Sequence, residues 1–198
     1  MGQDIKRFLI DGNQRFLDQR LQKHPKLSHP QDATNLPMCA VVGCSDSRTC
    51  AEHIFSQSLG NFFSVRNAGH YVTEEVIASL EFAVSAGIKN IMVYGHSQCG
   101  AIQGAIQYVL SPSISMTPSL KALLEKFEPT IREVMKDKSL QGGELLQACI
   151  DSNVHKTRHD ILSKSSYLKA LVKKKEVELL SGMYEIETGI VKFFDNDL

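Results

Sequence analysis

Two short motifs hold the residues best suited to chemistry: Cys44-Ser45-Asp46-Ser47-Arg48 and His96-Ser97-Gln98-Cys99-Gly100. Together they offer two thiols, an imidazole, a carboxylate and a guanidinium. Cys44, His96 and Cys99 form a ligand set of the kind zinc takes. A structural zinc site closes with four protein ligands; a catalytic one keeps three and leaves a position for water. Three ligands therefore point to an activated water. Cys44, Asp46 and Arg48 are spaced two apart, so an extended segment would turn all three to one side and the serines away. Asp46 would then reach the open metal position while Arg48 holds it. His96 and Cys99 are three apart and share a face if both lie on a first helical turn. A helix start near Cys99 would also favour its thiolate. From the residues alone a second reading stays open. Each thiol is then a small buried hydrophobe, and Asp46 with Arg48 is an ordinary surface ion pair.

The elements that must position these groups are legible around them. Residues 38–43 (MCAVVG) and 90–94 (NIMVY, closed by Gly95) are short apolar runs ending in Gly, as buried strands do. Cys44 and His96 follow them directly, at the carboxyl edge where open α/β sheets place their sites. Adjacent strands would bring these ends within about 5 Å. Residues 62–65 (FFSV) give a third strand. Thr73-Glu74-Glu75 starts a helix that runs to Ala86 and stops at Gly87. Helices are predicted from Cys99 to about Leu110, and over about 118–137, 143–162 and 164–170, with 111–118 a loop. The end of the chain, VELLSGMYEIETGIVKFF, alternates around Glu187-Thr188-Gly189 and predicts a hairpin, or one strand and an edge strand. The fold class is α/β: a mostly parallel central sheet flanked by helices, with an N-terminal helical arm. Residues 1–37 are that arm, one or two helices with a polar, Pro-bearing connection, and 38–198 the core of a single domain.

Bulk properties narrow the function. The chain has 198 residues, enough for one domain with a real core. Its 22 basic and 22 acidic residues balance, which points away from nucleic acid and anionic membranes. No segment has the roughly 18–20 apolar residues of a membrane span, and the amphipathic N-terminus lacks a secretory signal. A cytoplasmic protein is expected. Five cysteines, an odd number, argue against a disulfide framework. Cys39 and Cys149 lie in apolar stretches and are read as core; Cys50 is ambiguous.

The two motifs together resemble those of the β-class carbonic anhydrases. FFSVRNAGH, the approach SLEFAVSAGIKNIMVYGHSQCGA and the final YEIETGIVKF are also similar to that family, so the resemblance runs from about residue 38 to 194. It implies one zinc ion per subunit on Cys44, His96 and Cys99, with Asp46 and Arg48 as a catalytic dyad. It implies reversible hydration of carbon dioxide to bicarbonate and a proton. It further implies an arm that wraps a partner subunit in a homodimer or homotetramer, and an inactive state in which Asp46 becomes the fourth ligand. Phe63 and Phe82 are candidate walls for a small apolar pocket, reached across a dimer interface. Gln57, and the backbone near Gly100 and Ala101, are candidates for holding bicarbonate. His70, or His53, is a candidate proton shuttle. His70 and Thr49 depart from the family pattern, which commonly has Asn and Val there. Three alternatives remain: a carbon disulfide or carbonyl sulfide hydrolase on the same zinc site, a structural zinc in a non-catalytic assembly protein, and a thiol switch pairing Cys44 with Cys50 or Cys99.

Overall fold

The two apolar runs that end at the motifs form neighbouring strands, β1 (Cys39–Cys44) and β3 (Asn90–His96). Only the first residue of each escapes full burial, which suits strands covered on both faces. The computed structural model describes residues 5–23 and 36–194. It divides into two units at residues 35 and 36. In the first, α1 (Ile5–Lys23) is one continuous helix whose Ile5, Phe8, Leu9, Ile10, Phe16 and Leu17 are all exposed. Residues 24–35 of the expected connection lie outside the described residues.

The second unit carries a five-stranded sheet in the order β2-β1-β3-β4-β5, with β2 (Phe62–Asn67), β4 (Glu178–Tyr184) and β5 (Val191–Phe193). Strands β1 to β4 are parallel, and β5 returns antiparallel along β4. The mostly parallel α/β architecture is therefore present, and its C-terminal end is one strand followed by an edge strand. Val42 pairs with Val93, so Cys44 and Gly95 lie two residues further along their strands at the same level. The crossovers are α2 (Ala51–Ile54), α3 (Glu74–Ser85), α4 (Gly100–Leu110), α5 (Pro118–Val134), α6 (Gly142–Lys164) and α7 (Ser166–Lys173). Thr73 caps α3 by accepting the Val76 N–H, and Gly87 ends it at φ +111°. Helix α6 packs on β3 and β4 and against α4, α5 and α7. Leu80, Ile91, Ile102, Ile131, Ile150 and Ile161 fill the main core, each burial contributing about 1.5–3 kcal/mol. Among the described residues, no helix is long and apolar enough to cross a membrane.

Close packing sets two glycines. A Cβ on Gly43 would sit 2.5 Å from the Tyr94 ring, and one on Gly95 would sit 2.5 Å from Val154 on α6. Tyr94 thus packs closely against Gly43 of β1, with its hydroxyl donating to the Thr49 carbonyl at 2.8 Å. That bond anchors the segment after Cys44.

Candidate metal centre

Cys44 ends β1, His96 ends β3 and Cys99 occupies the position before α4. Their ligand atoms lie within 4.8 Å of one another, and all three residues are buried. His96 and Cys99 do not share a helical turn, contrary to what their spacing predicts. His96 still belongs to the strand, and a turn with Gln98 at φ +58° brings Cys99 back beside it.

The imidazole has a defined orientation. His96 Nδ1 lies 2.9 Å from the Ser97 carbonyl oxygen, which can only accept. The proton is therefore assigned to Nδ1, and the Nε2 lone pair is left facing inward. Nε2 is buried and makes no hydrogen bond. A buried acceptor without a partner is uncommon; beside two thiols, it is the position a zinc ion would complete. The end of β4 and the loop after it buttress this turn. Ser97 N–H donates to the Tyr184 carbonyl, the Ser97 hydroxyl donates to Glu185, and Gln98 donates to Glu187.

The thiols share charge. The neighbouring Cys99 thiol pulls the Cys44 pKa down most, with His96 and the amides of Gly69 and Asp46 adding to it against burial. Cys99 is pushed up, first by Cys44 and then by burial, while the amides of Ile102 and Ala101 oppose this. The two sulfurs thus oppose one another: each thiol is the largest influence on the other, pulling Cys44 down and pushing Cys99 up. Burial lowers the His96 pKa, but adjacent Cys44, the Ser97 carbonyl and Asp46 outweigh it, so the net shift is upward. The amide of Ala101, a candidate for holding bicarbonate, is therefore turned toward Cys99.

Asp46 and Arg48 meet as expected, by a different backbone route. Residues 45–48 form a turn and not an extended strand, closed by Thr49 N–H donating to the Asp46 carbonyl at 3.1 Å. The Asp46 carboxylate also accepts the Arg48 backbone N–H at 2.9 Å, the local bond that makes Asp a turn former. Arg48 Nε and Nη2 then reach the two carboxylate oxygens at 2.9 and 2.8 Å. This bidentate pair, ahead of all other causes, holds the Asp46 carboxyl well below the usual range. Thr49 is fully buried, with its hydroxyl 3.1 Å from the Cys44 carbonyl and 2.9 Å from that of Asp46. Arg66 donates to the same two carbonyls at 2.9 and 2.7 Å. In the sequence Arg66 is one residue of FFSVRNAGH with no role of its own; the pairing of β2 with β1 gives it one.

The remaining candidates are scattered. Gln57 is exposed and bonds with Phe55 and Asn61. Phe63 and Phe82 face each other at 6.1 Å between ring centres, and Phe82 is 64% exposed. Gly100 is exposed, with open space at its Cα. His53 is also exposed. His70 is placed differently from a solvent-facing shuttle. It is 2% exposed, its Nδ1 is 3.0 Å from the Thr157 hydroxyl, and burial pushes its pKa down to about 4.

A family model described as "Carbonic anhydrase" matches residues 39–191. The chain is 30% identical over 186 residues to "Carbonic anhydrase 2" of Mycobacterium tuberculosis, covering 91% of this chain and 87% of that protein. It is 30% identical over 202 residues to a carbonic anhydrase of Synechocystis, covering 96% and 71%. The solved structure of the β-carbonic anhydrase CcaA superposes with a TM-score of 0.83 at 28% identity, covering 97% of this chain and 96% of that one. A structure from a study of two tetrameric β-carbonic anhydrases of Sordaria macrospora shares the fold, with a TM-score of 0.83 at 21% identity.

Proposed function

Because the chain belongs to the β class of carbonic anhydrases, we propose that it hydrates carbon dioxide reversibly at one zinc ion held by Cys44, His96 and Cys99. The observation that carries this reading is the buried, unpartnered Nε2 of His96 beside two thiols. Bound zinc supplies the Lewis acidity that yields hydroxide from water near neutral pH. The protein's residues supply charge, direction and shape. Two thiolates bring two negative charges to the centre, so activity is expected to rise into mildly alkaline pH. Asp46, kept ionised by Arg48, can only accept a hydrogen bond. It takes one from the attacking hydroxyl and aims it at carbon dioxide. Both Asp46 oxygens are engaged by Arg48, which supports an Asp46 that stands off the metal and serves as an orienting group.

Exposed Phe82 lies beside half-buried Phe63, and α1 exposes six large apolar residues. Both support a homo-oligomer, a dimer or tetramer, with Phe63, Phe82 and Gln57 completing the pocket across its interface. The balanced charge, 22 basic against 22 acidic residues, supports a cytoplasmic location. Product protons leave through a group other than His70, whose ring is packed in the core.

Stopped-flow carbon dioxide hydration on protein of known zinc content, at about pH 7 and about pH 8.5, tests the proposal. Turnover should scale with zinc and be faster at the higher pH. Zinc-loaded protein that is inactive at both would overturn it, and headspace sulfide release from carbon disulfide would then identify a sulfur substrate.

A further inference from the structure

One ligand of the proposed centre is tied to a helix distant in the chain. The Gly69 amide donates to Cys44 Sγ at 3.3 Å. The carbonyl of the same residue accepts from Asn153 Nδ2 at 2.9 Å. Asn153 lies on α6, is 4% exposed, and its Nδ2 stands 3.3 Å from His70 Nε2 and 3.5 Å from Nδ1. His70 Nδ1 reaches the Thr157 hydroxyl at 3.0 Å, and that hydroxyl lies 3.3 Å from the His70 carbonyl. One assignment fits these distances. Asn153 donates to Gly69 and to Nε2, neutral His70 donates from Nδ1 to Thr157, and Thr157 donates back to the His70 carbonyl.

The turn at 68–70 has little freedom of its own. Gly69 sits at φ +67°, and a Cβ there would lie 2.6 Å from the Phe127 ring. Only glycine occupies such a position cheaply. With φ held by packing, the Asn153 bond to the Gly69 carbonyl fixes the following peptide unit and so helps keep the Gly69 amide on Cys44. An N–H bond to a metal-binding thiolate draws electron density from sulfur, weakens it as a donor and leaves the metal more acidic. Two thiolates at one zinc make that withdrawal matter.

We propose that Asn153, together with neutral His70, is a positioning pair that aims the Gly69 amide at Cys44 and so sets the donor strength of that thiolate toward zinc. This rests on zinc being held by Cys44, His96 and Cys99. Neither residue belongs to the Cys44, His96 and Cys99 ligand set.

The test compares wild type, Asn153→Asp, Asn153→Ala and Cys149→Ala, the last a buried change on the same helix outside the network. Each protein is loaded with cobalt, and the sulfur-to-cobalt charge-transfer band is recorded alongside the pH midpoint of carbon dioxide hydration in the zinc form. Asn153→Asp keeps the shape and removes both donors, so it remains informative if the alanine variant fails to fold. The expected result is a band moved to lower energy and a pH midpoint raised by about half a unit or more in the Asn153 variants only. A wild-type band that Asn153→Asp leaves in place overturns the pair alone, as does an equal shift in Cys149→Ala. Wild-type protein that shows no sulfur-to-cobalt band overturns the zinc reading on which the pair depends.

Discussion

Arg48 grips Asp46 through both oxygens while itself remaining half-exposed. Its value is therefore directional more than stabilising, since exposed ion pairs contribute little to folding. Arg48→Ala should leave zinc content and thermal stability nearly unchanged but lower kcat/KM by about 100-fold. The Asp46 carboxyl, released, should rise toward its ordinary range and carry the acid limit of activity up with it. Stopped-flow rates beside metal analysis would show this; unchanged turnover would mean that Asp46 does not need Arg48 to direct it. His70 makes the opposite case, a titratable group whose weight is in stability. Burial holds the folded imidazole at about 4 against an ordinary 6.5. Between those values the unfolded chain binds a proton that the folded chain does not. Stability conferred by neutral His70 is complete above about pH 6.5 and is lost as pH falls toward 4, by up to about 3 kcal/mol. Denaturant midpoints across that window should fall more steeply in wild type than in His70→Gln; parallel curves would refute the burial argument.

At the scale of elements, β1 places Cys44, and Tyr94 from β3 holds the segment beyond it. Gly43→Ala would drive a methyl group into the Tyr94 ring, an overpacking expected to destabilise by about 1–3 kcal/mol. Because Tyr94 also anchors Thr49, zinc affinity should fall with stability. Urea midpoints and metal titration measure both, and an unaltered midpoint would mean that Tyr94 can move aside at no cost. The strands β1 and β3 were legible because buried parallel strands are unbroken apolar runs and both end at a chemical motif. Capped α3 was legible for a similar reason, with Thr73 and Gly87 at its ends. The turn at 45–48 was not. Period-two spacing suggested an extended chain, but Asp46 and Thr49 bond locally and close a turn. Asn153 carried no signal at all, because its task is a side-chain bond to a backbone carbonyl on a distant segment. His70 looked like a shuttle since imidazole titrates near neutrality; only packing shows that its ring is enclosed and held by Thr157 and Asn153.

For the whole molecule, the sheet order decides more than shape. Strand β1 sits between β2 and β3, so the segment beyond Cys44 must go out to the edge and return before His96 is laid down beside it. His96 and Cys99 are near neighbours along the chain; Cys44 reaches them only once β1 and β3 have paired. The three-ligand set is thus complete only after a long loop has closed, which is a slow, late event in folding. Metal should then act as a latch on the finished sheet and not as a nucleus for it. In denaturant-jump experiments, added zinc should slow the unfolding limb of the chevron by about the factor it adds to overall stability, and leave the refolding limb in place. A refolding limb accelerated by zinc would mean that β1 meets β3 in the transition state, with the ion already between them.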